Sequence, residues 1–178
     1  MPTLAEGFIP VPDASERHAI VIAASRERVW AAVRRPDPSD IRLVKPLFAA
    51  RNLISRLLHG HEQRDMPAFT PLAEEPGREV VLGTVGQWWR LGRSEGVAPI
   101  GDAQAFSAFD RPGYAKGTFS FLLEEAGPGR VRLVTETRVA ATSPDARRAF
   151  LRYWRLIRLG SGLVRWAILS SIKARTSR

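Results

Sequence analysis

The residues with the most chemical potential in this chain are few and scattered. His59 and His61 are separated by a single residue, with Glu62 and Asp65 close behind. These are metal-ligating types, but the two histidines lack the i, i+4 spacing that presents both from one helix face, so a solvated loop is the expected reading. His18 alternates with Ile20 and Ile22 on one strand face, where a hydrogen-bonded core or rim histidine is commoner than a general base. Glu136 and Arg138 also share a strand face. On the expected register both point outward as a surface ion pair. A slip of one residue would turn both inward as an acid–base or carboxylate-binding pair.

Other chemistries find no support. The chain has no cysteine, which removes disulfides, thiolate metal sites and thiol nucleophiles together. The serines fall at caps, in strands or between glycines, without a nucleophile elbow, and the glycines punctuate turns rather than forming a phosphate-cradling loop. No catalytic constellation, metal or cofactor is implied. If a reaction is catalysed, a cyclase or hydratase type is the kind expected.

The aromatic residues say more. Trp88, Trp89, Phe106, Phe119, Phe121, Tyr153 and Trp154 offer large apolar surfaces with polar handles at the indole N–H and phenol O–H. Together with Ile157 and the strand hydroxyls of Thr135 and Thr137 they are the candidate lining of a pocket. Taken singly, each is more often a core residue than a ligand contact.

The elements that must position these residues follow from period and punctuation. At 178 residues, 44% hydrophobic, the chain fits one domain with a single core, expected over residues 16–175 behind a tail at 1–15. Arg17 to Ala23 alternates as a strand. Ser25 offers an N-cap to a helix carrying Val29, Trp30 and Val33, ended by Pro36 and Pro38. A second helix is expected from Pro46 to Gly60, with Leu47, Phe48, Leu53, Ile54, Leu57 and Leu58 as its apolar stripe. Strands follow from Phe69, around the turn Glu75 to Arg78, and through Glu79 to Trp89. Leu91 to Gly101 reads as a loop with at most a short edge strand. Asp102 to Phe109, Tyr114 to Glu125 and Arg130 to Ala141 then read as an antiparallel meander. Ala115, Gly117, Phe119, Phe121 and Leu123, with Val131, Leu133, Thr135, Thr137 and Val139, form its inner face. Lys116, Ser120, Glu124, Arg130, Arg132, Glu136 and Arg138 form a wet outer face.

Ser143, Pro144 and Asp145 mark a sharp helix start. Phe150, Tyr153, Trp154, Ile157, Ser161, Val164, Ile168 and Ile172 then fall on one stripe facing the sheet. Arg148, Arg152, Arg155, Leu159, Leu163 and Trp166 occupy the back, and Gly160-Ser161-Gly162 predicts a kink. The net charge of +9 is concentrated here, with nine basic residues from Pro144 onward against Asp145 alone. No nucleic-acid recognition pattern accompanies that charge. The apolar back leaves two outlets, a homodimer contact or peripheral contact with an anionic membrane.

The order of one strand, two helices, antiparallel strands and a long closing helix is that of the helix-grip fold: α+β, with a curved antiparallel sheet of about six or seven strands. With Ala19-Ile20-Val21-Ile22-Ala23-Ala24-Ser25 leading into Val29-Trp30, the chain resembles the START-like superfamily of polyketide cyclases and lipid-transfer proteins, also called SRPBCC. Gly86-Gln87-Trp88-Trp89, Arg111 to Lys116, Val134 to Val139 and Tyr153 to Ile157 are similar to an uncharacterised bacterial subgroup of it. Ala24-Ser25 replaces the proline-containing turn common there. The resemblance implies a cavity between sheet and closing helix that binds an apolar or aromatic small molecule such as a lipid or polyketide. It fixes no single reaction. Met1 to Pro12, with Glu6 and prolines, do not read as a signal peptide, so a cytoplasmic protein is expected.

Overall fold

The structure, a computed structural model, describes residues 2–35, 69–90 and 100–177. The expected helix from Pro46 to Gly60, the His59–Asp65 cluster and the Leu91–Pro99 loop lie outside the described residues. The described elements are α1 (Leu4–Phe8), β1 (Ala14–Ile22), α2 (Arg26–Arg34), β2 (Thr70–Glu75), β3 (Glu79–Gly86), a 3-10 turn at Trp88–Arg90, α3 (Ala103–Ala108), β4 (Ala115–Glu125), β5 (Val131–Ala141) and α4 (Pro144–Thr176).

Five strands, rather than six or seven, form one antiparallel sheet among the described residues, in the order β1-β5-β4-β3-β2. The turns joining them carry glycine where φ is positive, at Gly77, Gly127 and Gly129, because only glycine takes that conformation without strain. The inner face is as the alternation predicts. His18, Thr135, Phe121 and Val80 stand side by side across β1, β5, β4 and β3, and the next rung holds Glu16, Thr137, Phe119 and Leu82. Helix α4 lies over this face, chiefly across β1 and β5. The result is a helix-grip arrangement.

Three expectations about elements are corrected. Asp102 to Phe109 is not a strand: the Asp102 carboxylate accepts from the Ala105 N–H at 2.8 Å and caps α3. Alanine-rich sequence then favours helix, and Phe106 is buried. Helix α4 also runs unbroken through Gly160-Ser161-Gly162. A β-carbon on Gly162 would stand 3.1 Å from Glu16 Oε1 and 3.5 Å from His18 Cε1, so the glycine marks close approach of helix to strand. The packing gained there offsets the roughly 1 kcal/mol of helix propensity that glycine gives up.

The third correction concerns the outer face. Arg17, Glu124 and Arg132 do form the expected exposed ion pairs. Toward β3, however, Ala5, Ile9, Leu72, Val81, Val85, Phe106 and Tyr114 make a second core beneath α1 and α3. Residues of the expected N-terminal tail thus cover the sheet, and Ser120 and Arg138 are buried rather than wet. Glu79 anchors the cover: its fully buried carboxylate accepts from the Leu4 N–H at 2.7 Å and the Ala5 N–H at 3.2 Å. Glu79→Gln replaces one acceptor oxygen by a donor that faces an N–H. The substitution should cost about 1–3 kcal/mol, and hydrogen exchange at the Leu4 and Ala5 amides should quicken; unchanged protection there would refute the anchoring role.

Candidate functional site

The inner face divides into two apolar ends and a polar middle. At one end Ile22, Leu123, Val131 and Leu133 pack with Val29 of α2 and with Leu169 and Ile172 of α4. At the other, Phe150 sits among Trp88, Trp89 and Trp154, with ring centroids 5.6 to 6.2 Å apart. Trp88 packs close to the strands because Gly86 and Gly117 lack side chains there; a β-carbon on Gly117 would be 3.0 Å from the indole.

Between these ends, charged residues converge from two elements. His18 Nε2 and Glu16 Oε1, both on β1, are 2.8 Å apart. Arg165 reaches down from α4, with Nε 3.6 Å from Glu16 Oε2 and Nη2 donating to Thr137 Oγ1 at 2.5 Å. The guanidinium lies 5.4 Å from the centre of the Phe119 ring, in cation–π range. Arg165 is only 5% exposed. Burial pushes it below the usual guanidinium range, while the charges of Glu16 and Glu136 oppose that shift.

This cluster is incompletely satisfied. Arg165 Nε and Nη1, Glu16 Oε2 and the hydroxyls of Thr135 and Thr84 are buried without a hydrogen-bond partner. Such groups are ordinarily paired, because leaving one unsatisfied costs about 1–3 kcal/mol. Beside them, Val80 and Leu82 of β3, Phe119 and Phe121 of β4, and Ile157 and Val164 of α4 are only half-buried although they face inward. Among the described residues α4 does not close over the β3 side, and these partly buried apolar side chains line a groove between the sheet and α4, beside a set of buried, unpartnered polar atoms.

Of the sequence-derived candidates, Phe119, Phe121, Thr135, Thr137 and Ile157 lie in or beside this groove. Trp88, Trp89 and Trp154 form its aromatic end wall, and Tyr153 is half-buried against the same cluster. Phe106 does not belong: it lies in the core beneath α1 and α3, on the opposite face, with Lys116 Nζ 5.4 Å from its ring centre. Burial also lowers the Lys116 pKa, with Asp110 opposing. Glu136 and Arg138 point outward as expected, joined at 2.8 Å.

Glu16 and Arg165 are the site residues that the sequence-based candidates omit. Glu16 extends the alternation of His18, Ile20 and Ile22 by one step. Arg165 falls within the angular stripe of Ser161, Val164 and Ile168, four residues beyond Ser161. Both signals lie in the periodicity.

A separate cleft of about 430 Å³, lined by Thr3, Glu6, Arg17, Arg26, Arg78 and Glu124 among others, is charged and reaches the outer face. On the back of α4, Leu156, Leu163 and Trp166 are 83%, 62% and 66% exposed, among the exposed Arg152, Arg155 and Arg158. No helix among the described residues is long and apolar enough to cross a membrane.

No protein-family model and no curated protein sequence matches the chain. Solved structures similar to it include the Zhui aromatase/cyclase from Streptomyces sp. R1128, 12% identical with a TM-score of 0.42, covering 91% of this chain and 94% of that one. A hypothetical protein from Helicobacter pylori is 12% identical, with a TM-score of 0.43 over 99% of each chain. A conserved protein from Geobacillus kaustophilus is 13% identical, with a TM-score of 0.43 over 89% of this chain and 95% of that one. These values do not indicate which residues act, or on what.

Proposed function

We propose that the protein binds an apolar or aromatic small molecule, of the size of a lipid, polyketide or similar metabolite, in the groove between the sheet and α4. The observation that carries this reading is the incomplete burial of Val80, Leu82, Phe119 and Phe121 on a face that points at the closing helix. Inward-facing apolar side chains of a well-packed domain are normally closed off. A body that fills the space beside them gains roughly 25 cal/mol for each Å² it removes from water, and the aromatic end formed by Trp88, Trp89 and Trp154 gives it a flat wall.

Filling the groove from within is the direct test. Leu82→Trp places an indole in the open space, and binding of the neutral dye N-phenylnaphthylamine should weaken by about tenfold or more, the equivalent of about 1.4 kcal/mol. Undiminished dye binding by the folded variant would put the apolar site elsewhere.

Enzymatic proton transfer of the cyclase or hydratase type is the second reading, favoured by the contact of His18 with Glu16 beside Arg165. A carboxylate that orients an imidazole is a recurrent general-base arrangement. The two readings separate on the mass of a molecule released after incubation, which a carrier returns unchanged and an enzyme alters.

A further inference from the structure

We propose that the outward face of α4 docks on an anionic membrane surface, with Leu163 and Trp166 entering the interfacial region and the flanking arginines meeting the headgroups. This holds whatever the groove binds. At about 100° per residue, Arg152, Arg155, Leu156, Leu163, Trp166 and Lys173 fall within about 100° of the helix circumference. Helix α4 is continuous over all of them, so they form one row, and all six are exposed. Half of the large apolar side chains exposed among the described residues stand in this row, and apolar groups so clustered mark a contact surface. The cations beside them are free to bind. Arg147 and Arg148, at the start of the helix, are paired with Asp13 and Asp145, whereas Arg152 and Arg155 have no ion pair among the described residues.

Charge then selects the occupant. No acidic residue follows Asp145 in the chain, so a second copy docked through the same face would set arginine and lysine against arginine and lysine. An anionic surface supplies the missing charge, and each Lys or Arg held near it strengthens binding by about fivefold. A nucleic-acid backbone would meet the cations but leave Leu156 and Leu163 in water. A bilayer accepts both kinds of group. Leucine and the body of the indole enter the acyl boundary, while the indole N–H of Trp166, without a partner among the described residues, stays at headgroup level. The contact is one of a helix lying in the interface plane, since α4 is not long and apolar enough to cross a membrane.

The experiment is co-sedimentation of the full chain with vesicles of mixed phosphatidylglycerol and phosphatidylcholine, against vesicles of phosphatidylcholine alone. Wild type should bind the mixed vesicles about tenfold tighter or more, and the difference should shrink as salt rises from about 0.1 M to about 1 M, which shortens the Debye length from about 10 Å to about 3 Å. Arg152→Gln with Arg155→Gln should weaken binding to the mixed vesicles about twentyfold. Leu163→Ser with Trp166→Ser should weaken it about tenfold or more, because inserted apolar area is lost. The control is Arg17→Gln with Arg132→Gln, which removes the same charge from the exposed ion pairs with Glu124 on the outer face of the sheet. It should bind within about twofold of wild type. All these positions except Arg17 and Arg132 lie on the helix surface, and circular dichroism establishes that each variant is folded; the wild-type comparison of the two vesicles decides the proposal even where a variant is not. Wild type that binds neither vesicle, or both equally, overturns the proposal and leaves the groove standing. Equal loss in the control overturns it, since net charge rather than this face would then govern binding. Undiminished binding by the folded Leu163, Trp166 variant overturns it and leaves the basic face to a polyanion such as nucleic acid. A wild-type dimer in sedimentation that the same variant dissociates assigns the face to a second copy and overturns it as well.

Discussion

Replacing Phe150 by alanine should destabilise the protein by about 3–5 kcal/mol, the range for removing a buried phenylalanine. The ring is 1% exposed and is the common neighbour of Trp88, Trp89 and Trp154. Its loss removes buried area and three aromatic contacts, each worth about 0.5–1.5 kcal/mol beyond area in favourable geometry. For a chain of this size each kcal/mol lowers Tm by roughly 2–4 °C. Leu156→Ala, on the same helix but 83% exposed, is the control and should stay within about 0.5 kcal/mol of wild type. Denaturant unfolding of the two variants checks both. A Phe150→Ala cost near that of Leu156→Ala would mean that the aromatic end does not hold α4 to the sheet.

The contrast between Phe150 and Leu156 is legible in the sequence alone, because it follows from where each residue falls on a 3.6-residue period. The same holds for β4 and β5. Phe119 and Phe121 are separated by Ser120, and Thr135 and Thr137 by Glu136, which sets the period of two, and the turn between the strands is fixed by Gly127 and Gly129. Ser143-Pro144-Asp145 sets the start of α4 by chemistry that acts within one helical turn, with Ser143 Oγ accepting from the Ala146 N–H. Where structure is decided locally, sequence suffices.

What is not legible depends on tertiary contact. Ala103 to Ala108 is short enough that an alternating pattern and a helical one fit equally well, and the cap from Asp102 decides it. Gly162 reads as a helix breaker on propensity; only the proximity of Glu16 and His18 explains why the helix continues. The outer face reads as wet because its cover comes from residues distant in sequence. One signal for that cover is present: Thr3 and Glu6 have capping-box spacing, and both reciprocal hydrogen bonds form at α1. The candidate site shares the problem. Charged residues are expected outside, so Arg165 reads as part of the basic surface of α4 although its position on the helix points inward. A buried charge is visible only once its partners, Glu16 and Thr137, are brought across the sheet.

Arg138 presents the same pattern on the other face, and its removal should carry the second large effect. The side chain donates from Nε to the Ile9 carbonyl at 2.8 Å, from Nη2 to the Pro10 carbonyl at 3.0 Å and from Nη1 to Glu136 at 2.8 Å. Arg138→Ala would leave two carbonyls without donors and a carboxylate, 11% exposed, without its cation. Breaking a buried pair from one side costs about 3–5 kcal/mol. Arg138→Lys should recover only part of this, since one ammonium cannot serve three acceptors that are arranged for a planar fork. The loss should also be spatially uneven. Amides from Leu4 to Ile9 should exchange faster than those of the β4–β5 ladder, because the clamp joins the N-terminal segment to β5. Hydrogen exchange with mass detection reads that difference. Uniform loosening of the whole chain would mean that Arg138 supports the sheet itself. Retained protection at Leu4 to Ile9 would mean that Glu79 alone holds the cover in place. The expected pattern would instead establish that Arg138 ties the N-terminal cover to β5 through the Ile9 and Pro10 carbonyls, while the β4–β5 ladder holds without it.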